Sequence, residues 1–149
     1  LISDIQGLNL GPYMLEKNFN KQYNFVAVEL DESVIDLASK FSLNRLESPM
    51  QIIHADAEIF VKTHESKYAL ILVDLFIEDL VPAFFESEQG NQLIKGMLQE
   101  KGTVLINRLY RTGRDKQDTD RFYSEVFKNV FEQADYIEVD GNRVLTGKA

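Results

Sequence analysis

The sequence predicts an α/β fold, a three-layer sandwich on parallel strands closed by one antiparallel hairpin. Three observations carry this. Four short apolar runs recur along the chain. The segments between them switch to helical periodicity. Near the C-terminus, two strand-like runs flank Asp140-Gly141-Asn142. Strand and helix in alternation imply parallel strands joined by right-handed helical crossovers. Asp-Gly between two such runs signals a hairpin, because glycine tolerates a positive φ.

The four runs are Phe25-Val26-Ala27-Val28, Met50-Gln51-Ile52-Ile53, Tyr68-Ala69-Leu70-Ile71-Leu72-Val73 and Thr103-Val104-Leu105-Ile106. They are near-continuously apolar, as strands buried on both faces are, and too short for buried helices. Before them, Gly7-Leu8-Asn9-Leu10-Gly11-Pro12 reads as a glycine-rich turn ahead of a short helical stretch from Tyr13 to Phe19. Another register ends the first strand at Leu8-Asn9-Leu10 and leaves part of the turn outside the sequence. Asp31 precedes Val34, Leu37, Ala38 and Phe41, which share a helical face. Asp31 can cap that helix, and Glu32 suits its first turn. Leu93, Ile94, Met97 and Leu98 make a second face, with Lys101-Gly102 as its stop. Phe122, Val126 and Val130, with Tyr123, Phe127 and Phe131, form a broad stripe on a third helix starting near Asp118 or Thr119. Core packing is the reading of that stripe. Tyr136-Ile137-Glu138-Val139 and Arg143-Val144-Leu145-Thr146 are the hairpin strands. Prolines 12, 49 and 82 are placed in loops or at helix starts.

Composition excludes whole classes of function. A length of 149 residues suits one domain with a real core. Apolar residues at 44% and charged residues at 27% describe an ordinary globular chain. Sixteen basic against twenty-four acidic residues, a net charge of -8, argue against binding nucleic acid or anionic membrane by bulk charge. There is no cysteine, which removes disulfide scaffolds, zinc fingers and thiol nucleophiles. No run approaches 18 apolar residues, and the N-terminus lacks a signal-peptide pattern. A soluble, cytoplasmic domain is expected.

In parallel α/β sheets, ligands bind outside the carboxyl ends of the strands. Those ends carry Glu29, then His54-Ala55-Asp56-Ala57, then Asp74, then Asn107. Three successive strands thus deliver a carboxylate to one edge, which is costly unless a ligand or another partner meets it. An acid about 20 residues after a first-turn glycine loop is the ribose-binding arrangement of nucleotide-type folds. Gly7, Gly11 and Glu29 have that spacing. At a loop start, loss of Glu29 is expected to leave the fold nearly unchanged. His54 reads as a structural residue or as a base, and His64 lies in a polar loop. Two histidines at this spacing make no metal site. Arg108, Arg111, Arg114 and Lys116 cluster with Tyr110 after the fifth strand. They read as a solvated mobile loop or as a dock for an anionic acceptor. A Gly-x-Ser-x-Gly elbow is missing.

As a set, Val28-Glu29-Leu30-Asp31, His54-Ala55-Asp56-Ala57 with Phe60, and Leu72-Val73-Asp74-Leu75-Phe76 resemble the successive motifs of class I S-adenosylmethionine-dependent methyltransferases. The closer likeness is to the spermidine synthase-like branch. Val81-Pro82 and Leu98 through Asn107 continue it. The resemblance covers roughly residues 7–146 and is strongest over 23–107. It implies a Rossmann-like, mostly parallel seven-stranded sheet in a single domain, 1–149. It implies S-adenosylmethionine, or its decarboxylated form, as cofactor. Glu29 would accept from the ribose hydroxyls, its two oxygens matching a vicinal diol. Asp56 would take the adenine amino group, and Ala57 would offer its N–H to a ring nitrogen. Gly7 and Gly11 would line the methionine part. Asp74 would face the sulfonium and the transferred group, orienting or deprotonating an acceptor amine as the catalytic residue. Leu30 and Leu75 complete the cofactor-binding set. The partner implied is a small-molecule acceptor, an amine among the candidates, with a homodimer as the assembly.

The departures from that family are specific. Aminopropyltransferases commonly show an Asp-Ser-Ser-Asp type run where this chain has Asp74-Leu75-Phe76-Ile77, with Glu78 and Asp79 as substitutes just beyond. They also carry an N-terminal β-rich domain, and none is expected within these 149 residues. The glycine loop is poorer than the family's Gly-x-Gly-x-Gly. A methyltransferase of undetermined acceptor is therefore the first reading. An aminopropyltransferase and a nucleotide-shaped binding module without turnover are the alternatives.

Overall fold

A computed structural model of the chain describes residues 2–3, 5–41, 43, 46–77 and 80–149, with side chains from residue 12 onward. The chain divides into two units, Leu1–Phe60 and Val61–Ala149.

The first unit alternates strand and helix as expected. Its elements are β1 (Ile2–Ser3), α1 (Ile5–Phe19), β2 (Phe25–Glu29), α2 (Glu32–Phe41) and β3 (Met50–His54). A further helix, α3 (Ala57–Thr63), ends in the second unit. β2 and β3 are parallel, with Phe25 opposite Met50 and Glu29 opposite His54. The two-residue β1 runs parallel to β2. Val34 of α2 and Ala27 of β2 form the core, and Met50 and Ile52 pack against it. Asp31 caps α2: its Oδ1 accepts from the Ser33 N–H at 2.8 Å. The expected apolar face of α2 is only half used, since Val34 and Ala38 are buried while Leu37 and Phe41 are exposed. The buried Glu16 of α1 holds the approach to β3, accepting from the backbone N–H groups of Glu47 and Ser48.

The glycine-rich turn is not formed. Gly7, Gly11 and Pro12 all lie inside α1, which starts at Ile5 rather than Tyr13. Each glycine costs a helix about 1 kcal/mol against alanine. Propagation from the Tyr13–Phe19 segment is cooperative, and adding turns to an existing helix is far cheaper than nucleating one.

The second unit contains β4 (Tyr68–Asp74), α4 (Ala83–Glu86), α5 (Glu88–Gly96), β5 (Leu98–Leu109), α6 (Gly113–Phe122), a π-helical turn (Tyr123–Phe127), α7 (Lys128–Val130), β6 (Glu132–Val139) and β7 (Asn142–Lys148). Its strands run in the order β4-β5-β7-β6. β4 and β5 are parallel, while β5–β7 and β7–β6 are antiparallel. Taken unit by unit, then, the strands are a parallel set and a mixed set of four, not mostly parallel throughout. The physical reason is the hairpin: β6 runs in the direction of β5, and β7 turns back from β6 to lie between the two, antiparallel to both. Its turn is the expected one, with Val139 opposite Asn142 and Gly141 at φ +72°.

Several boundaries differ from expectation. α5 stops at Gly96, and Leu98 already belongs to β5. Lys101 and Gly102 therefore sit in a strand, where the pairing shifts from Tyr68–Leu98 to Leu70–Thr103. Lys101 has φ +63° there, and a Cβ on Gly102 would lie 2.8 Å from the Gln99 carbonyl. α6 begins at Gly113, not near Asp118 or Thr119, because Thr112 and Asp115 form a reciprocal capping box. The aromatic stripe is core, with Phe122, Phe127, Val130 and Phe131 buried. The π turn shifts its phase by a residue, so Phe127 rather than Val126 points fully inward. Burial along β4 and β5 alternates, against the expectation of two buried faces. Ile71 and Val73 are buried, as are Val104 and Ile106, while Leu70 is exposed.

Candidate functional site

The expected site residues of the first unit sit where β2 and β3 end. Glu29 is the last residue of β2 and only 8% exposed. Its Oε1 accepts from the N–H groups of Leu30 at 2.8 Å and Asp31 at 2.9 Å, the turn that leads into α2. Its Oε2 is buried and meets no hydrogen-bond donor among the described residues. The Glu29 carbonyl accepts from the Ala55 N–H at 3.0 Å, which holds the two strand ends together. His54 Nε2 lies 2.9 Å from the Leu30 carbonyl, so that nitrogen carries the proton and donates. His54 is thereby a tie between strand end and turn, the structural of its two readings. Leu30 is exposed, its backbone serving both of these neighbours.

Asp56 and Ala57 follow β3. Asp56 Oδ1 accepts from the Ile59 N–H at 3.0 Å, and its carbonyl accepts from Phe60 N–H, so Asp56 starts α3. Ala57 is the first residue of that helix. Hydrogen bonding across the strand ends thus brings Glu29, Leu30 and His54 together, with Asp56 two residues further on. Gly7 and Gly11 contribute helical backbone in α1.

In the second unit Asp74 ends β4, and Asn107 Nδ2 donates to its Oδ1 at 2.9 Å. This charge-assisted bond orients the carboxylate. Asn107 is not a strand end, because β5 continues to Leu109. Leu75 and Phe76 lie in the segment after β4. Ile77 and Leu80 pair backbone to backbone at 2.8 and 2.9 Å. Glu78 and Asp79, the substitutes for a second carboxylate, lie outside the described residues.

The basic cluster is not one loop. Arg108 belongs to β5, is only 3% exposed, and pairs with Glu86 of α4 while its guanidinium lies 4.5 Å from the Phe122 ring centre. Arg114 is exposed and reaches Asp118, which Arg121 also meets at 2.9 Å. A cavity of about 530 Å³ opens here, lined by Phe76, Leu80, Val81, Glu86 and Arg108 with residues of α6. Glu86 is the residue that the sequence reading missed; an acid on a short helix has no periodic signal, and only the arginine it meets marks it. Another arginine, Arg143 of β7, is buried between the rings of Tyr110 at 3.7 Å and Tyr136 at 4.1 Å. Burial raises the Tyr110 phenol above its usual range. His64 meets the Tyr68 hydroxyl at 2.8 Å. Among the described residues no three His, Asp or Glu are grouped to hold a metal ion, and no helix is long and apolar enough to cross a membrane.

Solved structures with this arrangement of elements are found among two groups of proteins. The spermidine synthase from Thermotoga maritima superposes with a TM-score of 0.70 at 16% identity, over 99% of this chain and 51% of that one. Human methyltransferase-like protein 13, in complex with SAH, gives 0.67 at 17% identity, over 96% of this chain and 78% of that one. The fold is that of the class I S-adenosylmethionine-dependent methyltransferases and spermidine synthases. In sequence, the chain is 23% identical over 104 residues to a protein of Bifidobacterium longum (strain NCC 2705) described as a probable polyamine aminopropyl transferase. That match covers 69% of this chain and 23% of the relative, so the chain spans about a quarter of that protein's length. No family model matches the chain.

Proposed function

We propose that the chain is the cofactor-binding part of an S-adenosylmethionine-dependent transferase, in the first reading a methyltransferase acting on a small molecule. Glu29 carries the proposal. A buried carboxylate oxygen without a donor costs free energy, and Glu29 Oε2 is in that state among the described residues. A ribose hydroxyl of the cofactor would supply the donor. Because Oε1 already accepts two turn N–H groups, the diol would meet one oxygen of Glu29 rather than two. Asp56 uses Oδ1 to start α3, which leaves Oδ2 to accept from the adenine amino group. The Ala57 N–H lies in the first turn of α3, where helices leave donors without intrahelical partners. Leu30 and Leu75 would pack beside Glu29 and Asp74, and Gly7 and Gly11 would meet the methionine part through helical backbone.

When bound, the cofactor supplies a transferable group on a sulfonium. Asp74, oriented by Asn107, would accept a hydrogen bond from an acceptor amine and take its proton. An anion beside a sulfonium favours binding more than rate, since that charge disperses in the transition state. Aminopropyl transfer from the decarboxylated cofactor is the second reading, favoured by the Bifidobacterium relative. A cytoplasmic location belongs to either reading, with the absence of cysteine in its favour.

Calorimetric titration with S-adenosylmethionine, its demethylated product and the decarboxylated form tests both readings. Binding of the first two supports methyl transfer. Binding of the decarboxylated form alone selects aminopropyl transfer. Binding of none of the three rejects the proposal.

A further inference from the structure

We propose that the cavity beside β5 and α6 binds a molecule bearing a carboxylate, held by the unused edge of the Arg108 guanidinium, and that this molecule is the acceptor. Only the role of acceptor rests on the transferase reading; the carboxylate site stands on the described residues that line the cavity.

Arg108 lines the cavity with its side chain only 4% exposed. Its Nη1 donates to Glu86, and the Phe122 ring covers its face. Its Nε is buried and meets no acceptor among the described residues. In a guanidinium, Nε–H and one terminal N–H point the same way, and that pair matches the two oxygens of a carboxylate. Arg143, in the same unit, has both terminal nitrogens engaged, although its Nε, like that of Arg108, meets no acceptor among the described residues. Its Nη1 donates to Asp120 and its Nη2 to Glu138, with a tyrosine ring on either side. Arg108 has one acid where Arg143 has two.

Among the described residues, the aspartates of the lining are engaged. Asp118 holds Arg114 and Arg121, and Asp115 is committed to the capping box. The remaining described lining is Phe76, Leu80, Val81, Ala83 and Leu109, which are apolar, with Thr119, whose hydroxyl donates to the Leu109 carbonyl. The ligand chemistry that fits is a short apolar body ending in a carboxylate. An ammonium at the same point would face the Arg108 charge, and Glu86 Oε1 already accepts from Arg108.

Three probes of equal carbon length separate the end groups: glutarate, 5-aminovalerate and cadaverine. Amide chemical shifts of the full chain are followed in titrations without cofactor. Glutarate and 5-aminovalerate should shift the Leu109 and Thr119 amides, and cadaverine should not. Arg108→Lys keeps the charge and loses the paired edge, so carboxylate affinity should fall at least about tenfold. Arg108→Met should abolish it. Should that variant not fold, Arg108→Lys and the wild-type probe comparison decide. Cadaverine binding as well as glutarate, carboxylate affinity untouched in Arg108→Lys, or no shift with either carboxylate overturns the assignment. Because these titrations contain no cofactor, a failed cofactor titration rejects the transferase reading and leaves the carboxylate site standing. With both in place, labelled cofactor should transfer to 5-aminovalerate in preference to cadaverine; the reverse preference overturns the acceptor role.

Discussion

Replacing Glu29 by glutamine separates the two tasks of one side chain. The amide oxygen can keep both turn N–H bonds now made by Oε1. The amide nitrogen then stands in place of Oε2 and can only donate. A ribose hydroxyl donating to Oε2 would lose its acceptor. Hydrogen bonds to charged groups are worth about 1.5–3 kcal/mol, so the cofactor Kd should rise roughly ten- to hundredfold at about 1.4 kcal/mol per decade. Stability without cofactor should change little, since one unpartnered polar atom replaces another. Glu29→Ala is a different experiment. It strips the acceptor from the Leu30 and Asp31 N–H groups at a buried position and should cost about 1–3 kcal/mol of stability. The sequence alone suggested that its loss would scarcely affect the fold. The assay is calorimetric titration beside urea unfolding for wild type and both variants. Wild-type cofactor affinity in Glu29→Gln would reduce Glu29 to an acid that holds a turn, and the ribose contact would be refuted.

Asp74→Asn keeps shape and removes basicity; if Asp74 takes the acceptor proton, single-turnover transfer should slow by about 10²–10⁴ with cofactor affinity nearly unchanged. Wild-type rates across a panel of amines and carboxylates would remove Asp74 from the chemistry. Gly147→Ala should cost about 1–3 kcal/mol by overpacking, because its Cβ would lie 2.6 Å from the Phe131 Cβ; a wild-type urea midpoint would show that the aromatic stripe has room to give. The Asp31 and Asp115 carboxyls are held below their ordinary value of 3.8, chiefly by the N–H groups of Ser33 and Thr112 respectively. A lowered folded value contributes stability that is complete above 3.8 and is lost as pH falls through the folded values. Thermal midpoints should therefore drop below about pH 4, and less so in an Asp31→Asn, Asp115→Asn double variant, whose amide oxygens still accept. An equally steep drop in that variant would place the acid sensitivity elsewhere.

Local chemistry was enough for the strands, the hairpin and the strand-end acids. Apolar runs bounded by polar residues are decided over a few residues, and so is a glycine at positive φ, so Phe25–Val28, Tyr68–Val73 and Asp140-Gly141 read correctly from sequence. The Thr112–Asp115 capping box is equally local and was there to be read. Glu29 was recognisable as a site candidate by position alone. Its engagement was not, because the two N–H groups that hold Oε1 come from a turn whose path depends on α2 packing against β2. Gly7 and Gly11 misled for the opposite reason: a glycine pair signals a turn locally, while a helix is cooperative and absorbs local penalties. Arg108 looked like part of a solvated basic run because its sequence neighbours are polar and charged. Strand pleating put it on the buried face of β5, with Val104 and Ile106, and α4 brought it Glu86. Whether a charge is solvated or buried depends on which residues distant in sequence cover it, and only the tertiary structure supplies them.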